Sequence, residues 1–237
     1  MADEALVVRG APQDPGPVKI FPALALTLAL TLALTLALTL ALTLALTLAL
    51  PLTLRGLSVT VADLVSIETM RVAALVIATL TVGLMAGVFA LYTNAIMPGL
   101  GRTDDRTFVG AFQSIDTAII NPLFLMTFLG ALVFTGIAAA LHLGEDVRSV
   151  LPWIAVALVL YLAVVVITVR INVPLNDGIK AAGAPDRIAD LARVREQFNE
   201  ARWARWNLFR TLATTAAFGC LAWALVLSGR VGSPPTV

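Results

Sequence analysis

The sequence predicts an all-α membrane protein: a membrane four-helix bundle with an additional low-complexity hydrophobic helix at its N-terminal side. Hydrophobic residues make up 59% of the 237 residues and charged residues only 13%, whereas about a quarter of an ordinary soluble domain is charged. The mean hydropathy is +0.93. The number of helices follows from four long apolar stretches that contain no Asp, Glu, Lys or Arg: residues 72–92, 117–143, 151–169 and 211–227.

Each stretch is long enough to cross a bilayer, since a helix needs roughly 17 to 25 residues to span about 30 Å of hydrocarbon. A soluble four-helix bundle would need a charged face toward water, and none of the four stretches has one. We therefore predict a four-span membrane domain over residues 67–229, followed by a disordered tail at 230–237. The lipid bilayer is the first expected partner.

Neither nucleic acids nor metals are expected partners. The net charge is +1, and no basic run or zinc-ligand spacing accompanies it. The single cysteine, Cys220, excludes an internal disulfide and a multi-cysteine metal site. It lies inside the last apolar stretch and is interpreted as a packing residue.

Ahead of the four stretches, residues 23–50 repeat Ala-Leu-Thr-Leu with almost no variation. We predict a helix over residues 23–56, because an isolated strand would leave its backbone groups unsatisfied in lipid, and disorder over residues 1–22. The repeat exceeds the roughly 7 to 15 apolar residues of a signal peptide, which favours an uncleaved anchor. A second interpretation is that expanded repetitive DNA encodes it, with the true start between Leu57 and Met70.

Positive charges predict the orientation, because Lys and Arg near span ends are retained in the cytoplasm. Eight lie between the third and fourth stretches: Arg170, Lys180, Arg187, Arg193, Arg195, Arg202, Arg205 and Arg210. The connection between the second and third stretches holds only Arg148. The connections 170–207 and, by alternation, 94–113 are therefore predicted to be cytoplasmic, and the expected location is a bacterial plasma membrane.

Polar residues of unusual placement gather at this same end of the predicted bundle. They are Asn94, Asp104, Asp105, Gln113, Asp116, Asn121, Asn172, Asn176, Asn207 and Arg210. Several spans that converge on polar residues make a site more plausible than one isolated polar residue does.

A polar stripe enters the second span, because Gln113, Thr117 and Asn121 recur every four residues and Asp116 lies beside them. For Gln113 and Thr117 the spacing favours bonds to a neighbouring helix. For Asp116 and Asn121 this interpretation and a substrate site are both open.

Two prolines interrupt the predicted spans. Pro122 frees the carbonyl of Ala118 for another donor. Pro174 disturbs the end of the third span, where we predict a buried hydrogen bond for Asn172 and a turn beginning at Asn176.

A charged segment with an apolar stripe precedes the last span, and it is predicted to lie on the membrane surface or to pack on the bundle. Its apolar residues are Ile188, Leu191, Val194 and Phe198. Then Trp203, Trp206, Asn207 and Arg210 share one helical face. Tryptophan at this depth is typical of an interfacial anchor.

Two interpretations are open for Arg210: its side chain reaches the interface, or it points into the bundle and needs an anionic or carbonyl partner. For the second we predict Asp116 as the partner, with Asp105 as the next choice. The pair Gly83 and Gly87 predicts close helix packing, inside the bundle or between copies in a homo-oligomer.

From about Arg71 to Leu227 the chain resembles the anthrone oxygenase-like family of small four-span membrane proteins. The matching residues are Gly87, Met97-Pro-Gly-Leu100, Asp105-Arg-Thr-Phe108, Phe112-Gln113, Asn121-Pro122, Asn172-Val-Pro-Leu-Asn176, Trp203, Trp206-Asn207 and Arg210. Their order across four spans carries the resemblance. It excludes the chain before about Ser66.

The resemblance implies oxidation of a lipophilic aromatic substrate, an anthrone in characterised relatives, by molecular oxygen without a recognised cofactor. Asp105 or Asp116 would be the base that removes a ring proton. The substrate-binding residues implied are Gln113, Asn121, Asn172, Asn176, Trp203, Trp206, Asn207 and Arg210. Of these, Asn172 and Asn207 would donate to the developing oxyanion and Trp206 would stack on the substrate.

One observation favours a different class of protein. The single histidine, His142, falls at the opposite end of the second span, so the usual neutral-pH base is absent from the predicted site. The alternative is a non-catalytic membrane protein that binds a lipophilic molecule or a partner helix.

Overall fold

The computed structural model describes residues 61–144 and 147–231. The predicted N-terminal helix over residues 23–56 and the predicted disorder of residues 1–22 lie outside the described residues. Every regular element within them is helical, which confirms the fold class. The last helix runs to Val231, so the first two residues of the predicted tail are helical.

Four long helices, α1, α4, α5 and α8, form the body of the molecule. In chain order the elements are α1 Val61–Leu91, a π-helical turn Tyr92–Ile96, α2 Met97–Leu100, α3 Asp105–Ile119, α4 Pro122–Leu141, α5 Leu151–Ile167, a second π-helical turn Thr168–Asn172, α6 Val173–Ala181, a 3₁₀ turn Pro185–Arg187, α7 Leu191–Phe198 and α8 Glu200–Val231. With the turns that continue them, the four long helices are long and apolar enough to cross a membrane. The predicted number of long apolar helices, four, is confirmed within the described ranges.

The long helices form a ring in which each packs on two others. Helix α1 packs against α4 and α8, and α5 packs against the same two. Alanine and β-branched residues allow close approach inside the ring, while Leu123 and Met126 on its outer face are 76% and 73% exposed. Such an apolar exterior suits lipid rather than water.

Gly83 and Gly87 have different surroundings. A Cβ added to Gly83 would lie 2.9 Å from the Phe218 ring of α8, whereas one added to Gly87 would meet nothing within 4 Å. Close packing inside the bundle therefore uses Gly83.

At one end of the ring the short helices α2, α3, α6 and α7 pack together, and we call this the polar end. Helix α3 contacts both α6 and α7, so the 94–113 and 170–207 connections lie at the same end. The segment before the last span packs on the bundle through Phe198, whose ring lies 4.5 Å from that of Phe112. The cytoplasmic orientation of this end stays a prediction.

The second apolar stretch is not one helix. Helix α3 ends at Ile119 and α4 begins at Pro122, with Asn121 as its N-cap. The Asn121 side chain accepts a bond from the Phe124 N–H at 3.0 Å and donates to the Ala118 carbonyl at 3.0 Å. The carbonyl that Pro122 frees thus has the adjacent amide as its partner. The polar stripe consequently stops at the break.

The predicted turn at Asn176 is wrong, because Asn176 lies within α6. Pro174 occupies the first turn of α6, where its missing N–H costs no helical bond. The π-helical turn Thr168–Asn172 precedes it. The other π-helical turn likewise precedes a proline, Pro98 in the first turn of α2. Both π-helical turns lie at the polar end.

Candidate active site

A cavity of about 90 Å³ lies at the polar end, between the helices of the ring. Six aromatic residues line it: Phe89, Tyr92, Phe112, Phe124, Phe128 and Trp203. Its polar lining residues besides the tyrosine and the tryptophan are Asp116, Thr168, Asn172, Asn176, Asp177, Lys180 and Arg210. We call this space the site cavity. The site cavity thus combines aromatic walls with a cluster of polar groups, and polar groups in such a cavity can fix the orientation of a small molecule.

Arg210 points into the bundle and not to the interface, since it is only 5% exposed. Its Nη2 donates to Asn207 Oδ1 at 2.8 Å and its Nη1 to Thr168 Oγ1 at 3.2 Å. The guanidinium lies over the ring of Phe89 at 4.5 Å and that of Trp203 at 5.4 Å, which are favourable cation–π distances. Its Nε–H has no hydrogen-bond partner among the described residues.

Asn207 holds the Arg210 guanidinium in its orientation. Its Nδ2 donates to the Phe89 carbonyl at 3.0 Å and to Thr93 Oγ1 at 2.8 Å. With both amide protons committed to α1 and the π-helical turn, Oδ1 is left to accept from the guanidinium. Asn207 is fully buried and does not line the site cavity.

The predicted ion pair of Arg210 is wrong. Asp116 lies 2.7 Å from Lys180 Nζ, and Asp105 lies 3.1 Å from Arg195 Nη1. In the described part of the chain, no carboxylate is within ion-pair distance of Arg210. The reason is the break before α4, which makes α3 a separate helix whose carboxylates face α6 and α7.

A second polar group of the site cavity centres on Asp116. Its Oδ1 accepts a bond from Asn176 Nδ2 at 2.6 Å, and the Asn176 Oδ1 accepts from Trp203 Nε1 at 2.7 Å. Lys180 Nζ forms an ion pair with the other carboxylate oxygen at 2.7 Å and also lies 3.3 Å from Asp177. Asn176 and Lys180 of α6 thus hold the Asp116 carboxylate against the cavity, and Trp203 of α8 holds Asn176 in turn.

Asn172 is buried between these two groups, as predicted. Its Nδ2 donates to the Trp203 carbonyl at 3.4 Å. Its Oδ1 has no hydrogen-bond partner within the described ranges. An unsatisfied buried amide oxygen is costly and suits a site that a polar ligand or water completes.

The sequence-predicted site residues fall into two sets. The structure brings five of them together around the site cavity: Asp116, Asn172, Asn176, Trp203 and Arg210. Asn207 lies directly behind Arg210. The remaining four, Asp105, Gln113, Asn121 and Trp206, lie elsewhere.

Each of these four has another structural partner. Asp105 pairs with Arg195, and Asn121 caps α4. Gln113 donates to the carbonyls of Ile179 and Gly183, which ties α3 to α6. The Trp206 ring packs 5.4 Å from that of Phe209 on the outer face of α8, and of the two tryptophans only Trp203 lines the site cavity.

A side chain caps the start of α3. Asp104 is its N-cap, accepting bonds from the Thr107 N–H at 3.0 Å and the Thr107 hydroxyl at 2.7 Å. The backbone bond, followed by the hydroxyl bond, holds the pKa of the Asp104 carboxyl below its usual range.

Sequence reasoning missed Tyr92, Thr168 and Lys180 as cavity residues. Lys180 carried a signal, since it lies four residues after Asn176 and would share its helical face once α6 is recognised as a helix. Tyr92 and Thr168 are the first residues of the two π-helical turns. No pattern in the sequence marked either position. The single histidine is at the other end of the bundle, where His142 Nδ1 lies 2.7 Å from the Ala138 carbonyl.

Residues 118–220 match the family model of anthrone oxygenase. No curated protein and no solved structure matches the chain. The match runs from the last turn of α3 into α8, and it confirms the family resemblance over that segment. It includes Asn172, Asn176 and Arg210 but not Tyr92 or Asp116.

Proposed function

We propose that this chain, which is similar over residues 118–220 to the anthrone oxygenase family, is a cofactor-independent oxygenase embedded in the membrane. Its substrate would be a lipophilic aromatic ketone with an acidic ring methylene, of which anthrone is the simplest case. Removal of a methylene proton leaves an enolate that reacts directly with molecular oxygen. Four apolar helices around an aromatic cavity suit such a substrate.

The observation that carries the proposal is the state of Arg210. A buried guanidinium without a carboxylate partner is expensive to maintain, so residues of this kind mark functional sites in membrane proteins. The substrate oxygen becomes negative when the methylene loses its proton. Asn207 and Thr168 hold Arg210, and its Nε–H has no acceptor in the described part of the chain. Arg210 is therefore a preorganised donor for that oxygen.

Asp116 is the proposed base. Of the two candidate bases, Asp105 and Asp116, it is the one that lines the site cavity. Arg210 assists the proton transfer on the substrate's side, because stabilising the enolate makes the methylene more acidic. When Asp116 becomes neutral, Lys180 keeps Asp177 as a partner.

The aromatic lining has two roles in this proposal. Flat rings such as Trp203 and Phe112 can stack on a polycyclic substrate. They also exclude water, which would otherwise return a proton to the carbanion before oxygen reacts. Oxygen itself dissolves readily in hydrocarbon, so a cavity surrounded by lipid is well supplied with it.

A second candidate is a non-catalytic protein that binds a lipophilic anion. The ion pair between Asp116 and Lys180 favours it, because a carboxylate already neutralised by an ammonium group needs no further role. In this case Arg210 would bind the anion permanently instead of stabilising it during a reaction.

Oxygen uptake by the purified full-length protein with anthrone distinguishes the two. We expect one anthraquinone per oxygen molecule consumed, faster than the spontaneous oxidation measured without protein. Arg210→Gln should lose this activity, while Arg205→Gln, an exposed arginine on the same helix, should keep it. Binding of anthrone without uptake above the spontaneous rate would leave the anion-binding protein as the better description.

A further inference from the structure

We infer that the Tyr92 hydroxyl is a catalytic acid that protonates the peroxide formed when oxygen adds to the substrate; this rests on the proposed function. Tyr92 belongs to neither of the polar groups described above. It is the first residue of the π-helical turn that follows α1.

Tyr92 is held by packing alone. It is 8% exposed, its ring lies 5.6 Å from that of Trp203, and it lines the site cavity. Its hydroxyl makes no hydrogen bond to any residue in the described ranges. Tyr92 lines the same cavity as the proposed base, Asp116, and the proposed oxyanion donor, Arg210.

Tyr161 shows what a structural tyrosine does in this bundle. It is fully buried, and its hydroxyl donates to the Phe128 carbonyl at 2.9 Å. Buried tyrosine hydroxyls usually find such a partner. The hydroxyl of Tyr92 instead keeps its proton available to whatever occupies the site cavity.

The reaction needs a proton donor at this place. After Asp116 takes one methylene proton, the carbanion transfers an electron to oxygen and the two radicals combine, forming a carbon–oxygen bond and a peroxide anion. Tyr92 gives its proton to the outer peroxide oxygen. The protonated Asp116 then returns the first proton to the Tyr92 phenolate.

Removal of the second methylene proton completes the reaction. Asp116 removes it, the oxygen–oxygen bond breaks, and the carbon becomes a carbonyl. The departing hydroxide takes that proton from Asp116 and leaves as water. One methylene group and one oxygen molecule thus give one ketone and one water, with both residues restored.

Lys180 is a weaker choice for this acid. Its ammonium group lies 2.7 Å from Asp116 and 3.3 Å from Asp177, so two of its protons are directed to carboxylates. Transfer of its proton would also leave Asp177 without its counter-ion.

The test compares Tyr92→Phe with Tyr161→Phe, the same substitution outside the site cavity. Two rates are measured on each full-length protein: deuterium exchange into the anthrone methylene without oxygen, and anthraquinone formation with oxygen. Exchange reports the base and Arg210 alone. Only the second rate requires protonation of a peroxide.

For Tyr92→Phe we expect unchanged exchange and a loss of anthraquinone formation of about 100-fold or more, the usual contribution of general acid catalysis. Tyr161→Phe should change both rates by the same factor. Equal loss of both rates in Tyr92→Phe, or no loss in either, would overturn the role of Tyr92. Wild-type protein that supports exchange but not oxidation, or neither, would instead overturn the proposed function and this role with it.

Discussion

At the scale of single residues, the carboxylates of α3 have different environments despite their nearness in sequence. Asp105 lies at the start of the helix against Arg195, and Asp116 lies three turns later in the wall of the site cavity. Both were candidates for the base. Their positions relative to the cavity now distinguish them.

Asp116→Asn should lower methylene exchange and anthraquinone formation together by about 10² to 10⁴-fold, because both steps need the base. Asn accepts from Asn176 less strongly but keeps the side-chain shape, so anthrone binding should persist. Asp105→Asn is the matched control and should retain activity. Retained exchange in Asp116→Asn would remove it as the base.

Arg210 and Asp116 have separate partners, which predicts how their substitutions combine. Arg210 bonds to Asn207 and Thr168, whereas Asp116 bonds to Asn176 and Lys180. In the variant carrying both Arg210→Gln and Asp116→Asn, the losses in unfolding free energy should add to within about 0.5 kcal/mol. A double variant much more stable than the sum would mean that the two charges interact directly.

At the scale of helices, the contact between α1 and α8 depends on one missing side chain. Gly83→Leu would press a branched side chain into the Phe218 ring, and overpacking of this kind costs about 1 to 3 kcal/mol. Gly87→Leu, on open space one turn away, should cost much less. Thermal unfolding of both variants in detergent checks this prediction. Equal unfolding midpoints would mean that the close contact at Gly83 does not contribute to stability.

The breaks in the helices position the site. The break at Ile120 turns α3 aside so that Asp116 faces Lys180, and the two π-helical turns begin at Tyr92 and Thr168. π-helical turns inside α-helices are frequent at functional sites because they realign the side chains that follow. The site cavity is therefore formed where three of the spans depart from regular α-helix.

At the scale of the whole molecule, the distribution of positive charges predicts the orientation in the membrane. In a Cys220→Ala background, single cysteines at Arg102 and Arg193 should be labelled from the cytoplasmic side, and a cysteine at Arg148 from the opposite side. Labelling of Arg148 and Arg193 positions from one common side would refute the four-span arrangement.

The low-complexity segment should be dispensable. Leucine at every second position of residues 23–50 spreads around all sides of a helix and specifies no packing face. A chain starting near residue 57 should still insert, with an unchanged unfolding midpoint and unchanged anthrone binding. Loss of the shortened protein from the membrane would make the segment a structural span.

The sequence by itself determined the class, the four spans and the gathering of polar residues at one end. These depend on composition, on stretch length and on local chemistry such as the capping by Asp104, all of which are readable along the chain. It also showed that Arg210 would need a partner if it pointed into the bundle, because a buried charge is costly in any fold.

Only the tertiary structure decided which polar residues meet. Whether Asp116 faces Arg210 or Lys180 depends on the direction in which α3 leaves α4 and on the one-residue shifts of the π-helical turns. A rotation of about 100° per residue moves a side chain from the cavity to the lipid. That is why Trp203 and not Trp206 lines the site cavity, and why no pattern in the sequence marked Tyr92.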